Sequence, residues 1–442
     1  MLIIKISDLS PGQILVLGYL IVITTGTLLL LLPVATISGK STTLLDALFT
    51  ATSATAVTGL IVVNTAEHWT RFGQTIIMLL VQIGGFGFMT STTMLFLIFG
   101  KKMSLRERLI IMEELNYNKL SGVISLTRYI ILLTFSLELI GAILLYQYFK
   151  NLMPAARAWY FSIFHAISAF NNAGFDLFGN SLRSFVSSTY INLVISFLFI
   201  LGGLGFIVIA EIYRKLDLKS LSLHTKLVLT ITLFITVFGT VAIFILEYDN
   251  PATIGNLSLK DKLLASFFQA VTPRTAGFNT VTIGHFKDVS LFLIILLMFT
   301  GASPGSTGGG VKTTTVGTLL IVVYNIALGK EDIEVFGRRL KKKDIFKTLS
   351  VVVISLLVIA AVTLVLTFTE QFAFIQIVFE VFSAFGTVGL STGITSNLTS
   401  IGRIFIIITM FIGRVGPFTI ALALGKRLRK GIRYPEEDIL IG

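Results

Sequence analysis

No cysteine occurs in the 442 residues, which excludes disulfides, thiolate nucleophiles and cysteine-ligated metals. With only four histidines, metal catalysis is not expected, and no cluster of His, Asp and Glu marks a membrane enzyme. Charge is scarce as well: 13% of residues are charged and 54% are hydrophobic, with a mean hydropathy of +0.89. A soluble domain carries roughly a quarter charged residues, so this chain belongs in a bilayer. Its length accommodates about eight spans of ~20 residues with their connections and leaves no room for a separate soluble domain.

The few charges present are unevenly placed. Basic residues fall in four blocks: Lys101 to Arg128, Arg214 to Lys226, Lys330 to Lys347, and Lys426 to Arg433. Each block follows an even-numbered hydrophobic run, while the alternate connections carry few. That is the positive-inside pattern, and it predicts a multi-pass plasma-membrane protein with both termini cytoplasmic. The net charge of +12 therefore reports topology, or an acidic face on a cytoplasmic partner, before any contact with nucleic acid. The apolar run Ile14 to Pro33 lacks a small-residue cleavage site and reads as a retained first span.

Between the basic blocks a pattern of about a hundred residues recurs: a long span, a shorter apolar segment, a small polar turn ending in glycine, and a second span. The turn glycines are Gly59, Gly174, Gly277 and Gly389, separated by 115, 103 and 112 residues. Ten residues before each stands a phenylalanine: Phe49, Phe164, Phe267 and Phe379. Five before each is a small residue: Ala54, Ala169, Thr272 and Ala384. The repeats are 1–107, 108–221, 222–343 and 344–442. A second glycine echo follows inside each closing span, at Gly84, Gly85 and Gly87, at Gly202, Gly203 and Gly205, at Gly301 and Gly305, and at Gly413 and Gly416. Close helix packing explains such glycines, and a thinned inner-helix wall is compatible with it.

The short segments, with about 10 to 14 apolar residues each, cannot cross ~30 Å of hydrocarbon, which predicts re-entrant half-helices. For the third, Ser258 to Asp261 supplies a capping box. Irregular backbone at membrane depth is tolerated only where it is buried or lines water, so four polar turns on one axis imply a pore. Extended backbone at such turns can replace a cation's hydration shell with carbonyl oxygens, and glycine permits the required dihedrals. The candidate ladders are Ala56, Val57, Thr58 and Gly59; Asn171, Asn172, Ala173 and Gly174; Arg274, Thr275, Ala276 and Gly277; and Gly386, Thr387, Val388 and Gly389. None contains a carboxylate. The expected fold is thus an all-α polytopic membrane protein, four pseudo-symmetric helix, pore-loop, helix repeats around one pore, with eight full spans and four half-helices.

The sixth span is interrupted by Gly301, Ala302, Ser303, Pro304, Gly305, Ser306, Thr307, Gly308, Gly309 and Gly310, then Val311, Lys312 and Thr313. Helix cannot persist there, because Pro304 removes a donor and each glycine weakens helix by roughly 1 kcal/mol relative to alanine. It is no phosphate loop, since Val311 breaks the glycine-lysine step and no strand precedes it. Lys312 and Arg414 lie within spans, where a charge costs roughly 3 kcal/mol or more and so faces water or a partner. Glu138 and Glu380 are candidate partners for Arg414. His165, on the second half-helix, reads as a core hydrogen-bonding residue in preference to a proton relay.

These glycine-terminated turns, and the glycine-rich interruption, resemble the membrane subunits of the Trk/Ktr/HKT superfamily over essentially the full length. The resemblance implies potassium uptake through one pore per protomer, with sodium as a second candidate ion and no organic cofactor. It implies one key filter glycine per repeat, matching Gly59, Gly174, Gly277 and Gly389. It makes the segment from Gly301 to Gly310 an intramembrane gate and Arg414 an electrostatic barrier beneath the filter. It also implies a homodimer controlled by a cytoplasmic nucleotide-binding Ktr ring. Tetrameric potassium channels keep two glycines per filter loop where this sequence keeps one, so tight selectivity is not expected. A rocking secondary transporter is the competing reading; four repeats of one topology argue against it.

Overall fold

The computed structural model describes residues 9–87, 90–94, 105–114, 122–215, 217–417, 419–420 and 437. Lys101, Lys102, Lys119 and the block from Lys426 to Arg433 lie outside these residues.

A long helix followed by a short one recurs four times. The long helices are α1 (Pro11–Leu30), α5 (Val123–Phe149), α9 (Leu223–Glu247) and α13 (Lys342–Thr369). At 20, 27, 25 and 28 residues they reach about 30 Å or more at ~1.5 Å per residue. The short helices are α2 (Leu44–Thr55), α6 (Ala155–Phe170), α10 (Leu259–Val271) and α14 (Phe374–Gly386). After each comes the glycine turn and then a closing helix: α3 (Arg71–Phe86), α7 (Thr189–Leu204), α11 (Asp288–Phe299) and α15 (Ser400–Val415). Helix α4 (Leu105–Glu114) lies between the first and second units, α8 (Phe206–Arg214) follows α7, and α12 (Thr313–Ala327) follows α11.

By length and apolarity, four of the described helices, α1, α5, α9 and α13, can each cross a bilayer, and a fifth span is available if α7 and α8, bent by 95° at Gly205, count as one. The closing helices are short, and three of the four are broken at a glycine. Helices α3, α7 and α15 end at Gly87, Gly205 and Gly416, with φ of 83°, 95° and 95°, a region open mainly to glycine. The first helix begins at Pro11, behind a Ser10–Gln13 capping box, slightly before the apolar run suggested. At the third short helix the expected box is one-sided: Ser258 Oγ accepts from the Asp261 amide at 3.2 Å.

Caps also start the closing helices. Thr70, Ser188 and Thr399 cap α3, α7 and α15. Lys287, at the start of α11, has no capping side chain of its own, and buried Glu247 at the end of α9 serves instead, accepting from the Lys287 amide at 3.0 Å and from the Ser290 hydroxyl. Glu370, just past α13, accepts from the amide and hydroxyl of Thr399. Both carboxylates tie the end of a long helix to the start of its closing helix and satisfy orphan amide donors there.

The four units form a ring. Helices α3, α7 and α11 each pack on the short helix of the next unit, and α15 packs back on α2 of the first. Arg403 on α15 donates to Asp46 on α2 at 2.6 Å, bridging the two ends of the sequence. Phe49, Phe164 and Phe379 are buried among these helices. Glycine permits the closest approaches: a Cβ on Gly84, Gly202 or Gly413 would lie 2.2, 1.8 or 2.0 Å from carbonyl oxygens at the ends of the short helices, those of Thr55, Phe170 and Phe385.

Candidate functional site: a ring of four glycine turns above a glycine-rich loop

Each short helix stops three to six residues before its turn glycine, so its carbonyl end, the negative pole of the helix dipole, abuts the turn. There the backbone takes the same course four times. Val57, Asn172, Thr275 and Thr387, two residues before the glycines, have φ of 56°, 60°, 73° and 50°. Gly59, Gly174, Gly277 and Gly389 have φ of 93°, 67°, 76° and 88°. Two positive-φ residues thus bracket one residue in each turn.

Hydrogen bonds behind the turns hold this path. The amides of Thr58, Ala173 and Val388 each donate to the carbonyl of the serine five residues back, Ser53, Ser168 or Ser383, at 2.8 Å. In the third turn Ala276 donates to Thr272 at 2.9 Å.

The four turns close on one another. A Cβ on Gly59 would lie 3.1 Å from Gly174 Cα, one on Gly174 would lie 2.9 Å from Gly277 Cα, one on Gly277 3.4 Å from Gly389 Cα, and one on Gly389 3.1 Å from Gly59 Cα. The order is cyclic, as in the helix packing. All sixteen residues of the candidate ladders lie in or just before these turns. Arg274 contributes backbone only in its turn; its buried side chain borders a small cavity with Phe199, Ile200 and Gly203.

The glycine-rich interruption, residues 300–312, lies beneath the ring. Thr300 and Val311 pair as a parallel bridge that pinches the loop's neck, and the loop hydrogen-bonds to the second and fourth units. The Ser303 and Thr307 amides donate to the Gly203 and Gly202 carbonyls at 2.9 and 3.2 Å. The Gly309 amide donates to Thr387 Oγ1 at 3.1 Å, and the Gly310 amide to the Gly413 carbonyl at 3.3 Å. Gly308 packs so tightly on Thr275 that a Cβ would lie 2.1 Å from its Oγ1. The loop is therefore in direct contact with the third and fourth turns.

Both intramembrane cations reach this loop. Lys312 Nζ donates to the Gly308 carbonyl at 2.7 Å. The Arg414 guanidinium donates to the carbonyls of Thr307 and Gly84, joining the loop to the first closing helix. The carboxylate pairing considered for Arg414 is not formed: Glu138 accepts from Asn171 Nδ2 at 2.8 Å, and Glu380 accepts from the Ser391 and Thr395 hydroxyls. Peptide oxygens are the nearer acceptors: Thr307 lies in the loop itself and Gly84 near the end of α3. His165 is buried, with Nδ1 2.7 Å from the Phe161 carbonyl and Nε2 3.3 Å from the Leu177 amide.

Sequence reasoning passed over three features: the bonds of Glu380 to the chain leaving the fourth turn, the serines behind the turns, and Gly84 as an acceptor for Arg414. Counting back from each turn glycine would have found the serines; the other two need the tertiary path.

Comparison with known proteins defines the class first. Residues 11–431 match the family model of TrkH cation transport proteins, and the chain belongs to that family. The chain is 46% identical over its full length to the Ktr system potassium uptake protein B of Bacillus subtilis, covering 98% of that protein. It is 42% identical to the potassium/sodium uptake protein NtpJ of Enterococcus hirae, with 98% of each chain covered. Ktr system potassium uptake protein B of Vibrio alginolyticus is 38% identical, with 97% of this chain and 94% of that one covered. Among solved structures, the crystal structure of the potassium transporter TrkH from Vibrio parahaemolyticus superposes with a TM-score of 0.74 at 19% identity, covering 94% of this chain and 84% of that one. That likeness concerns the fold.

Proposed function

We propose that this chain is the potassium-translocating subunit of a Ktr-type uptake system in the plasma membrane. The observation that carries the reading is the closed ring of Gly59, Gly174, Gly277 and Gly389, in which each glycine's missing side chain abuts the backbone of the next turn. A passage bounded by four such turns offers a dehydrating cation peptide oxygens in place of water. The residues from Ala56 to Gly59, Asn171 to Gly174, Arg274 to Gly277 and Gly386 to Gly389 form the selectivity filter in this reading. Two relatives are named for potassium uptake and one for potassium and sodium, so potassium is the principal substrate and sodium the second ion to test.

The loop from Gly301 to Gly310 is the gate. Its amides bond to the turns and closing helices of neighbouring units, so it obstructs the passage below the filter until those bonds are exchanged. Arg414 and Lys312 hold it from either side and set a positive barrier against a resting cation. The units 1–107, 108–221, 222–343 and 344–442 form one pore domain with eight spans, counting broken closing helices as spans, and four re-entrant half-helices. Both termini face the cytoplasm, where a nucleotide-binding ring controls the gate, and two copies associate as a dimer with separate pores.

Expression in a host lacking potassium uptake, with a Ktr regulator co-expressed, tests the reading. Restored growth at low potassium supports it, and bi-ionic flux separates a channel-like path from a carrier: flux that stops without a second ion gradient favours a rocking transporter.

A further inference from the structure

The four turns are tethered unequally. In the first, the Gly59 amide donates to Ser53 Oγ at 3.1 Å; in the second, Ser168 Oγ donates to the Phe175 carbonyl at 2.7 Å; in the third, Thr272 Oγ1 donates to the Phe278 carbonyl at 2.6 Å. Each joins the end of a short helix to the turn glycine or the residue after it. The fourth unit has the corresponding serine, Ser383, but its buried hydroxyl has no partner. Here Thr387, a β-branched residue, sits at φ 50°, a conformation that persists only where surroundings impose it.

From this inequality we propose that Glu380 is the positioning residue of the fourth turn, supplying the tether that Ser383 does not, and thereby sets the turn's contribution to ion preference. Glu380 is buried on α14, nine residues before Gly389. Its carboxylate reaches past the bend to the chain leaving the ring, accepting from Ser391 Oγ at 2.8 Å and from the Thr395 hydroxyl. Ser391 in turn accepts from the Gly393 amide at 2.9 Å, so the exit path is fixed from two to six residues beyond the glycine. Position supports the assignment. His165 stands nine residues before Gly174 in the second unit, across the ring, and its Nε2 meets the Leu177 amide, three residues past that glycine. In the first and third units Thr50 and Phe268 stand there. A carboxylate that accepts from two hydroxyls holds them more tightly than a neutral acceptor does.

The proposal rests on the filter reading above, and the test separates the two. Potassium and sodium uptake would be compared in wild type, Glu380→Gln, Glu380→Ala and the double variant Ser391→Ala/Thr395→Val, each normalised to protein in the membrane. Wild type that carries no potassium defeats the functional reading. Given wild-type uptake, Glu380→Ala is expected to lower the potassium-over-sodium ratio about tenfold, and Glu380→Gln, whose amide oxygen still accepts, by about twofold. Should Glu380→Ala not reach the membrane, the double variant decides, since it keeps the carboxylate and removes only the donors. An unchanged ratio in whichever of these is made overturns the assignment.

Discussion

Replacing Gly277 with serine perturbs the ring at one known point. Gly277 has φ 76°, and a Cβ built there would lie 2.5 Å from the Val388 carbonyl oxygen and 3.0 Å from Gly174 Cα. The left-handed backbone alone costs a non-glycine residue about 1–2 kcal/mol. The clash costs more. An ordinary carbon contact is about 3.5 Å, so a peptide oxygen of the fourth turn must retreat by roughly 1 Å. No flexible side chain is there to yield, because the neighbour is backbone. A carbonyl that far out no longer completes the ion's shell, and potassium preference over sodium should fall about tenfold or more, equivalent to ~1.4 kcal/mol. Competitive uptake of the two ions into proteoliposomes measures the ratio. Gly39→Ala is the control: φ there is 68° and nothing lies within 4 Å of the new Cβ, so it carries the backbone strain without the clash. Wild-type selectivity in Gly277→Ser, with Gly39→Ala also unaffected, would refute the placement of Gly277 at the ion path.

Three other substitutions probe the loop, the ring closure and the glycine packing. Arg414→Ala removes the guanidinium that joins the Thr307 and Gly84 carbonyls, and should raise potassium flux several-fold in the absence of regulator, read by flux assay; lowered flux at equal expression would count against a gating role. Arg403→Ala leaves Asp46, 14% exposed, without its partner, and should destabilise the ring closure by ~1–3 kcal/mol, seen as a lower Tm in detergent and restored by exchanging the two residues. Gly202→Ala forces a Cβ to 1.8 Å from the Phe170 carbonyl; it should cost ~1–3 kcal/mol and loosen the loop whose Thr307 bonds to both residues, read by thermal unfolding and by increased proteolysis near Gly305.

The helical fold was legible because a membrane imposes it: long apolar runs gave α1, α5, α9 and α13, and a glycine-rich interruption gave the break between α11 and α12. The register of Phe49, Phe164, Phe267 and Phe379 against the turn glycines aligns the four units on sequence alone. Less legible were the closing helices, since apolarity continues through Gly87 and Gly205 while helix does not. The cations were hardest. The sequence leaves Arg414 as an electrostatic barrier or as half of an ion pair, whereas the fold brings it to the carbonyls of Thr307 and Gly84.

The positions two residues before the turn glycines explain why one glycine per unit can hold the ring. Val57, Asn172, Thr275 and Thr387 are all left-handed, and for the three β-branched residues that is a genuine outlier. At about 1–3 kcal/mol each, such strain survives only where the chain has no cheaper course. The preceding helix fixes one side, the serine or threonine carbonyl behind fixes the amide after it, and the next unit's turn occupies the space into which the backbone would relax. The last of these constraints is not local, so no residue preference announces it, and a second glycine would lower the strain while freeing the turn to move. If the ring is the filter proposed above, ion preference depends on crowding around the turns as much as on their own residues, and Ser53, Ser168, Thr272 and Glu380, behind the turns, bear on it together with the glycines.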